Sequence, residues 1–387
     1  MKRAAIIILD GVGIGEAPDA DAYGDAGSDT LGNVARATGG LKLPRLERFG
    51  LGNIRSIEGI ARRGDAAGAW GSMRPASAGK DSTAGHWEIA GVHLERPFPT
   101  YPKGFPAGVI EAFVRETGRA VIGNVVGSGT DVIKRFAGEQ QRTGSWIVYT
   151  SADSVFQIAA DENVIPLAEL YRACGAARAM LVPPNDVSRV IARPFVVENG
   201  EPTRTANRRD YSIAPPGETL LDALAKAGIS RAGVGKVDDL FAGRSLTATH
   251  TVSNADGIRG IKNWLSSAES GLLFANLVDF DQLFGHRNDV AGFYGALREF
   301  DAALPSITSR LKEEDLLFIT ADHGNDPTTP SSDHAREFVP LLVGGMRVVP
   351  RDLGQRDTFS DLGATVADWF GLSFRGRGKS FLKELIV

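Results

Sequence analysis

Short apolar runs along the chain end abruptly in polar chemistry. Ala4 to Leu9 ends at Asp10-Gly11, Leu272 to Val278 at Asp279-Phe280-Asp281, and Leu316 to Thr320 at Ala321-Asp322-His323-Gly324. Continuous runs of this length, rich in Ile, Val, Leu and Phe, predict strands buried on both faces. Between the last two runs, Phe293, Leu297, Phe300, Leu304, Ile307 and Leu311 recur at alternating steps of four and three. That stripe marks a helix with one buried face, which Pro305 should kink or divide because it cannot donate to the preceding turn. Strand, helix, strand in this order predicts a right-handed crossover and a parallel sheet. Such sheets gather ligands at the carboxyl ends of their strands, where the acidic and histidine residues fall. A further strand, Val339 to Val343, and a helix, Phe359 to Phe370, continue the alternation.

Residues 97–216 read differently. Prolines at 97, 99, 102, 106, 183, 184, 215 and 216 break the segment up. Trp146 to Tyr149 and Val190 to Val197 have strand character, and Pro166 to Ala177 has helical character. The pattern predicts an α+β domain inserted into an α/β sheet domain formed by residues 1–96 and 217–387. No internal repeat, heptad array or low-complexity tract is present.

Composition narrows the function classes. Of 387 residues, 43 are Lys or Arg and 47 are Asp or Glu, a formal net charge of -4. The basic stripe of a duplex-binding protein is missing, and the cluster from Arg204 to Arg209 is short, so nucleic acid is not an expected partner. The single cysteine, Cys174, excludes an intrachain disulfide framework and fits a reducing compartment. Its neighbours supply no catalytic pattern. The apolar run after Met1-Lys2-Arg3 is too short for a signal peptide, and no apolar stretch has the length of a membrane span. A cytoplasmic protein is expected, and no protein partner is read from the chain.

Three of the six histidines lie in Asp281-x4-His286, Asp322-His323 and Asp333-His334. Mixed carboxylate and imidazole ligands suit Zn, Mn or Fe, whereas an all-oxygen set suits Mg or Ca. Asp10 ends the first strand and can join them at one sheet edge. Any one of these residues alone would serve equally well as a helix cap or a turn residue. Together at successive strand ends, their charges call for a cation.

The segment Gly79-Lys80-Asp81-Ser82-Thr83-Ala84-Gly85-His86 places hydroxyls among small residues before a helix-capable stretch. Free backbone N–H groups at a helix start favour an anionic phosphoryl group, and a neighbouring cation would activate the Ser82 oxygen as a nucleophile. The same segment also reads as a capping box, with Ser82 or Thr83 preceding Glu88.

These residues resemble the alkaline phosphatase superfamily: Asp10-Gly11, the Asp-Ser-Thr of 81 to 83, Asp281 with His286, Asp322-His323-Gly324 and His334. More closely, the chain resembles the phosphopentomutase family nearly end to end. The resemblance is carried by Gly13-Ile14-Gly15-Glu16-Ala17-Pro18-Asp19, Gly85-His86-Trp87-Glu88, Tyr149-Thr150-Ser151-Ala152-Asp153-Ser154, Arg189 to Phe195, Asn276 to Asp281, and Thr320 to Pro327. It implies a phosphatase-like, mostly parallel sheet flanked by helices, with an inserted cap. It also implies two divalent metal ions, typically manganese, one held by Asp10, Asp322 and His323 and the other by Asp281, His286 and His334. The family usually has threonine directly after Lys-Asp; here Ser82 stands there, with Thr83 one position on as the alternative nucleophile. Asp153 is then expected to touch sugar hydroxyls, Arg189 and Arg204 to hold the non-reacting phosphate, and Lys236 to assist. The implied substrate is a pentose phosphate, with glucose 1,6-bisphosphate or a similar compound as activator. Another two-metal phosphatase or a cofactor-independent phosphoglycerate mutase is the competing reading. His86 and Trp87 could line the site or pack, and His93 and His250 are read as structural.

Overall fold

The computed structural model describes residues 2–151 and 153–386; Ala152, inside one of the motifs quoted above, lies outside them. The chain divides into two compact units, Met1–Pro97 with Pro215–Val387, and Phe98–Ala214. In chain order the strands begin with β1 (Arg3–Leu9) and β2 (Ala69–Met73). The second unit holds β3 (Val121–Val126), β4 (Trp146–Thr150), β5 (Val155–Asp161), β6 (Arg189–Glu198), β7 (Glu201–Arg204) and β8 (Arg209–Ser212). The first unit resumes with β9 (Arg231–Val234), β10 (Ala248–Thr249), β11 (Gly271–Leu277), β12 (Asp315–Thr320), β13 (Val339–Gly344) and β14 (Asp352–Arg356).

The first unit is an α/β fold around an eight-stranded sheet in the order β10-β9-β11-β1-β12-β13-β2-β14. It is mostly parallel; β13 alone runs antiparallel to both of its neighbours. Every residue of β1, β11 and β12 is buried, the two-sided burial that their unbroken apolar runs require. Register decides where their polar ends arrive. Leu9 pairs with Leu277 and Ile8 with Thr320, so Asp10 and Ala321-Asp322 emerge together at the carboxyl edge. At the opposite edge a buried ion pair fixes the same register. Arg3 Nε donates to Asp315 Oδ1 at 2.9 Å and Nη1 donates to the Leu265 carbonyl at 2.6 Å.

The crossover helix Val290–Thr308 buries Phe293, Leu297, Phe300, Leu304 and Ile307 of the predicted stripe, while Leu311, its last member, is buried beyond the helix end. Pro305 does not divide it. The proline is exposed and lies within the last turn, so the one hydrogen bond it cannot donate is lost where the helix is about to stop. Among the described residues no helix is long and apolar enough to cross a membrane.

The second unit is an α+β fold on a mixed six-stranded sheet, ordered β3-β4-β5-β6-β7 with β8 also paired to β6. One sheet face packs on helices Ala107–Thr117 and Leu167–Met180 through Phe113, Trp146, Phe156, Leu170 and Cys174. Burial there pushes the Cys174 thiol pKa far up, so it stays protonated and unreactive. Helix Gly129–Thr143 covers only part of the other face, over Ile147, Tyr149, Ala159 and Phe195.

Candidate active site

At the carboxyl edge of the first sheet the predicted ligands converge. Asp281, His286 and His334 form one group whose ligand atoms lie within 4.8 Å of one another, and Asp10, Asp281 and His323 form a second. Asp281 belongs to both: its Oδ2 is 3.2 Å from His286 Nε2 and its Oδ1 3.4 Å from His334 Nε2. His323 Nε2 stands 3.3 Å from Asp10 Oδ1 and 3.4 Å from Asp322 Oδ2. Separations near 3.3 Å are what ligand atoms show when each lies about 2.1 Å from one shared cation.

Local structure explains the convergence. Asp281 and His286 are five residues apart, a spacing that faces different sides of an α-helix. Here Phe280–Phe284 forms a π-helical turn and Gly285–Arg287 a 3₁₀ turn, and the wider winding returns both side chains to one side. Such turns recur at functional sites. Gly11, directly after Asp10, has φ +75°, and a Cβ there would stand 2.9 Å from the Asn325 side chain. Only glycine lets this turn follow β1 so closely.

A surrounding layer orients each ligand. Asn276 Nδ2 donates to Asp10 Oδ2 at 2.9 Å, Asn325 Nδ2 to Asp281 Oδ1 at 2.6 Å, and the Gly11 amide to Asp322 Oδ1 at 3.3 Å. His323 Nδ1 contacts the Gly324 carbonyl at 3.0 Å and His286 Nδ1 the Ser332 carbonyl at 2.6 Å, which directs both Nε2 atoms inward. Two carboxylate oxygens, Asp10 Oδ1 and Asp322 Oδ2, are buried without a hydrogen bond. His86 Nδ1 is 3.1 Å from Asp322 Oδ2, but its hydrogen bond is to the Ser82 carbonyl at 2.8 Å.

The electrostatics also fit divalent cations. Burial, then the charges of Asp322 and Asp281, push the Asp10 carboxyl up to about 6. Burial also opposes ionisation of Asp281, yet His334 and His286 hold that carboxyl well below its usual range. For His323 burial disfavours the imidazolium, and the Asp322 and Asp10 carboxylates outweigh it, holding the ring well above its ordinary value. A proton on His323 and a divalent cation answer the same excess of negative charge. With two orphaned oxygens and a mixed oxygen and nitrogen donor set, the residues present fit divalent metal binding. A third group, Asp238, Asp239 and His250, is more exposed, and His250 Nε2 lies 2.8 Å from Asp238 Oδ1.

The helix Ser82–Ile89 brings a hydroxyl to this cluster. Its cap is Asp81, whose side chain accepts from the Ala84 amide at 3.1 Å, so neither Ser82 nor Thr83 is the capping residue. Glu88 forms no capping box: it accepts from the Ala76 and Ser77 amides instead. Ser82 is therefore the first helical residue, half-buried, with Oγ 3.1 Å from His323 Nε2. Thr83 turns into the protein and is 4% exposed. One turn on, a Cβ at Gly85 would meet the Asp322 carbonyl oxygen at 2.1 Å, so glycine allows the helix to press against the ligand loop. Lys236, half-buried after β9, places Nζ 3.4 Å from Gln282 Oε1, next in sequence to Asp281.

The other expected contacts belong to the second unit. Asp153 and Arg204 are exposed and Arg189 is partly buried. Arg189, Ile191, Arg193 and Phe195 alternate onto the sheet face that helix Gly129–Thr143 only partly covers, and Asp210 and Arg204 pair across to Ile191 and Phe195. Arg208 holds Asp210 through two bonds of 2.7 Å, and Arg189 lies 3.6 Å from the same carboxylate. Arg193 donates to Gln157 at 3.0 Å. Burial, then Arg208, lower its pKa. Sequence reasoning does not single out Arg193 or Arg208, although their alternation with apolar residues is available as a signal. It likewise misses Asn276, Asn325 and Glu88 as orienting groups. An Asn inside the run Leu272 to Val278 is the one visible clue.

A family model for the metalloenzyme superfamily matches residues 2–374. The phosphopentomutase of Desulfitobacterium hafniense (strain DSM 10664 / DCB-2) is 56% identical over 389 residues, covering 100% of both chains. That of Caldanaerobacter subterraneus subsp. tengcongensis is 53% identical and covers 100% of this chain and 98% of the relative. Among solved structures, a phosphoglycerate mutase from Leishmania mexicana has a TM-score of 0.51 at 12% identity, over 98% of this chain and 97% of that one, a likeness of fold alone. The chain belongs to the phosphopentomutase family, isomerases of the metalloenzyme superfamily that work by phosphoryl transfer.

Proposed function

We propose that the enzyme interconverts the 1-phosphate and 5-phosphate of ribose or 2-deoxyribose, with Ser82 as the phosphoryl carrier. The observation that carries this reading is the Ser82 hydroxyl, 3.1 Å from His323 Nε2 at the start of a helix beside the ligand cluster. In the resting enzyme Ser82 Oγ carries a phosphate. The free hydroxyl of the bound sugar phosphate attacks that phosphorus, the Oγ–P bond breaks, and a 1,5-bisphosphate forms. The bisphosphate turns over in the site, and Ser82 Oγ takes the other phosphate. Divalent ions, manganese by the family resemblance, would be held by Asp10, Asp322 and His323 and by Asp281, His286 and His334, supplying positive charge to the serine oxygen and the phosphoryl oxygens. Backbone N–H groups at the start of helix Ser82–Ile89 add fixed dipoles of the same sign.

The inserted unit acts in this reading as the substrate-binding cap. Arg189 and Arg204 take the phosphate that does not react, Asp153 the sugar hydroxyls, and Lys236 assists from the first unit. Arginine suits the task because its planar fork meets phosphate oxygens in pairs. Water must be kept out while the intermediate turns, or the isomerase becomes a phosphatase. Glucose 1,6-bisphosphate would prime Ser82, and the cytoplasm is the proposed location. The test supplies ribose 1-phosphate and 3-phosphoglycerate separately to the Mn²⁺-loaded enzyme. Ribose 5-phosphate from the first and nothing from the second is expected. Turnover of 3-phosphoglycerate alone, or free phosphate as the main product, would refute the assignment.

A further inference from the structure

The loop from Pro75 to Asp81, which delivers Ser82, is held mainly by charge. From one side Glu88, fully buried, accepts from the Ala76 amide at 2.9 Å and the Ser77 amide at 2.6 Å. From the other side Arg336, 4% exposed, donates to the Ser77 and Gly79 carbonyls at 2.6 Å each and to the Pro75 carbonyl at 3.1 Å. Its remaining donors go to Asp19, Nε at 3.1 Å and Nη2 at 3.0 Å, so all five N–H groups of the guanidinium are used. The ring of Tyr23 lies 4.7 Å from the guanidinium carbon.

Arg336 also stands two residues from His334. Its own amide donates to Asp25 Oδ2 at 2.8 Å, Asp25 takes Lys80 Nζ at 2.9 Å, and Lys80 reaches Asp333 at 3.3 Å. The strip carrying His334 and the loop carrying Ser82 are thereby laced together at several points. A buried guanidinium is a poor device for stability alone, because its desolvation offsets much of what its bonds return. Its fork is a good device for fixing three carbonyls at set positions.

We infer that Arg336 is a positioning residue, which sets the Ser82 hydroxyl against the ligand cluster and so controls phosphoryl transfer without touching substrate. The inference rests on Ser82 as the phosphoryl carrier. Displacing a nucleophile by about 1 Å can cost a hundredfold in rate. Arg336→Lys keeps the charge but offers a single ammonium that cannot reach three carbonyls. It should fold, retain wild-type metal content by elemental analysis, keep its KM, and lose roughly 10- to 100-fold in kcat. In Arg336→Ala, millimolar guanidinium should restore several-fold activity where methylammonium at equal ionic strength does not. A variant with full metal content and wild-type kcat overturns the inference, as does a loss that only tracks the unfolded fraction. If neither variant folds, Asp19→Asn, at a half-exposed site, decides: a two- to tenfold fall in kcat at constant KM is expected, and an unchanged kcat overturns it. The same panel is read as phosphoenzyme formed from glucose 1,6-bisphosphate, by intact mass. A wild-type enzyme that forms phosphoserine yet leaves ribose 1-phosphate unchanged would sink the proposed substrate. The rate of phosphoenzyme formation in the variants would then still decide the role of Arg336, slower than wild type supporting it and equal to wild type overturning it.

Discussion

The two units collect charge in opposite ways. In the first, carboxylates and imidazoles meet at the ends of strands buried on both faces, and Asp10, Asp281, Asp322 and His323 are almost closed to solvent. In the second, arginines share a sheet face that one helix covers only in part, and Arg204 and Arg208 remain exposed. Depth raises both the cost of an unpaired charge and the reward of pairing it. The first arrangement therefore suits a small cation gripped by several ligands. The second suits an anion that must arrive and leave every cycle, since half-solvated pairs are weaker and exchange readily. The proposed function follows this contrast, with chemistry at the buried site and recognition at the open one.

The largest effect should come from removing the hydroxyl at the buried site. Ser82→Ala is expected to lower kcat by at least about a thousandfold, as loss of a nucleophile does, and to leave metal content unchanged by elemental analysis. Phosphopeptide mapping of the wild type should place the phosphate on Ser82. Finding it on Thr83 would move the carrier one residue inward and break the link drawn from the Ser82–His323 contact.

Next in size is the orienting layer. Asn325→Leu removes the donor to Asp281 Oδ1, the carboxylate common to both ligand groups. Changes of this kind cost about 10- to 100-fold in metal affinity. Titration with Mn²⁺ should show that loss, and chelation should raise hydrogen exchange in β1, β11 and β12 while leaving β4 and β5 protected. Equal deprotection of both units would mean that the ions stabilise the whole chain and that the contrast is overdrawn.

The two sites are not equally legible in the sequence. The buried one shows because strands run out of apolar residues where the ligands begin: Leu9 then Asp10, Thr320 then Asp322. Register, which no periodicity reveals, is needed to bring those ends level. The π-helical turn that unites Asp281 with His286 is invisible, since the spacing of five fits neither helix nor strand. The helix cap is ambiguous because Asp81, Ser82 and Thr83 are all good capping residues and only the backbone decides among them. Pro305 misleads because its effect depends on how close the helix end is. In the inserted unit, Arg193 hides among Ile191 and Phe195, since a charged residue on a strand usually means solvent rather than a partly buried platform.

Arg193→Met tests the open site. It keeps the aliphatic length but removes positive charge beside Arg204, one of the proposed phosphate ligands, and a charge-assisted interaction contributes on the order of 1–3 kcal/mol. KM for the sugar phosphate should rise roughly tenfold with kcat nearly constant, and the wild-type KM should itself rise with salt. A fall in kcat at constant KM would place Arg193 in the chemistry and erase the division of labour.

The smallest effect on turnover, and the finest test of what neighbours do to a buried carboxylate, comes from Glu337. It is 1% exposed, as closed as Asp281, yet its hydrogen bonds come from amides and a hydroxyl rather than from imidazoles. It accepts from the Thr30 amide at 2.9 Å, the Thr30 hydroxyl at 2.7 Å and the Gly15 amide at 3.1 Å. Burial outweighs these donors, and the carboxyl is pushed up to about 8, where histidine neighbours hold Asp281 far down. The folded state therefore keeps a proton that the unfolded chain releases near its ordinary value of 4.5. Between about pH 4.5 and 8 the unfolded state binds fewer protons, so this group makes stability fall as pH rises, by at most about 1.4 kcal/mol per pH unit. Glu337→Gln copies the neutral form. Its stability relative to wild type, from urea titrations with chelator present, should grow through that window and level off above it, while kcat changes little. A difference that stays flat with pH would mean the carboxylate is charged throughout, and that two amides and a hydroxyl can do for Glu337 what imidazoles do for Asp281.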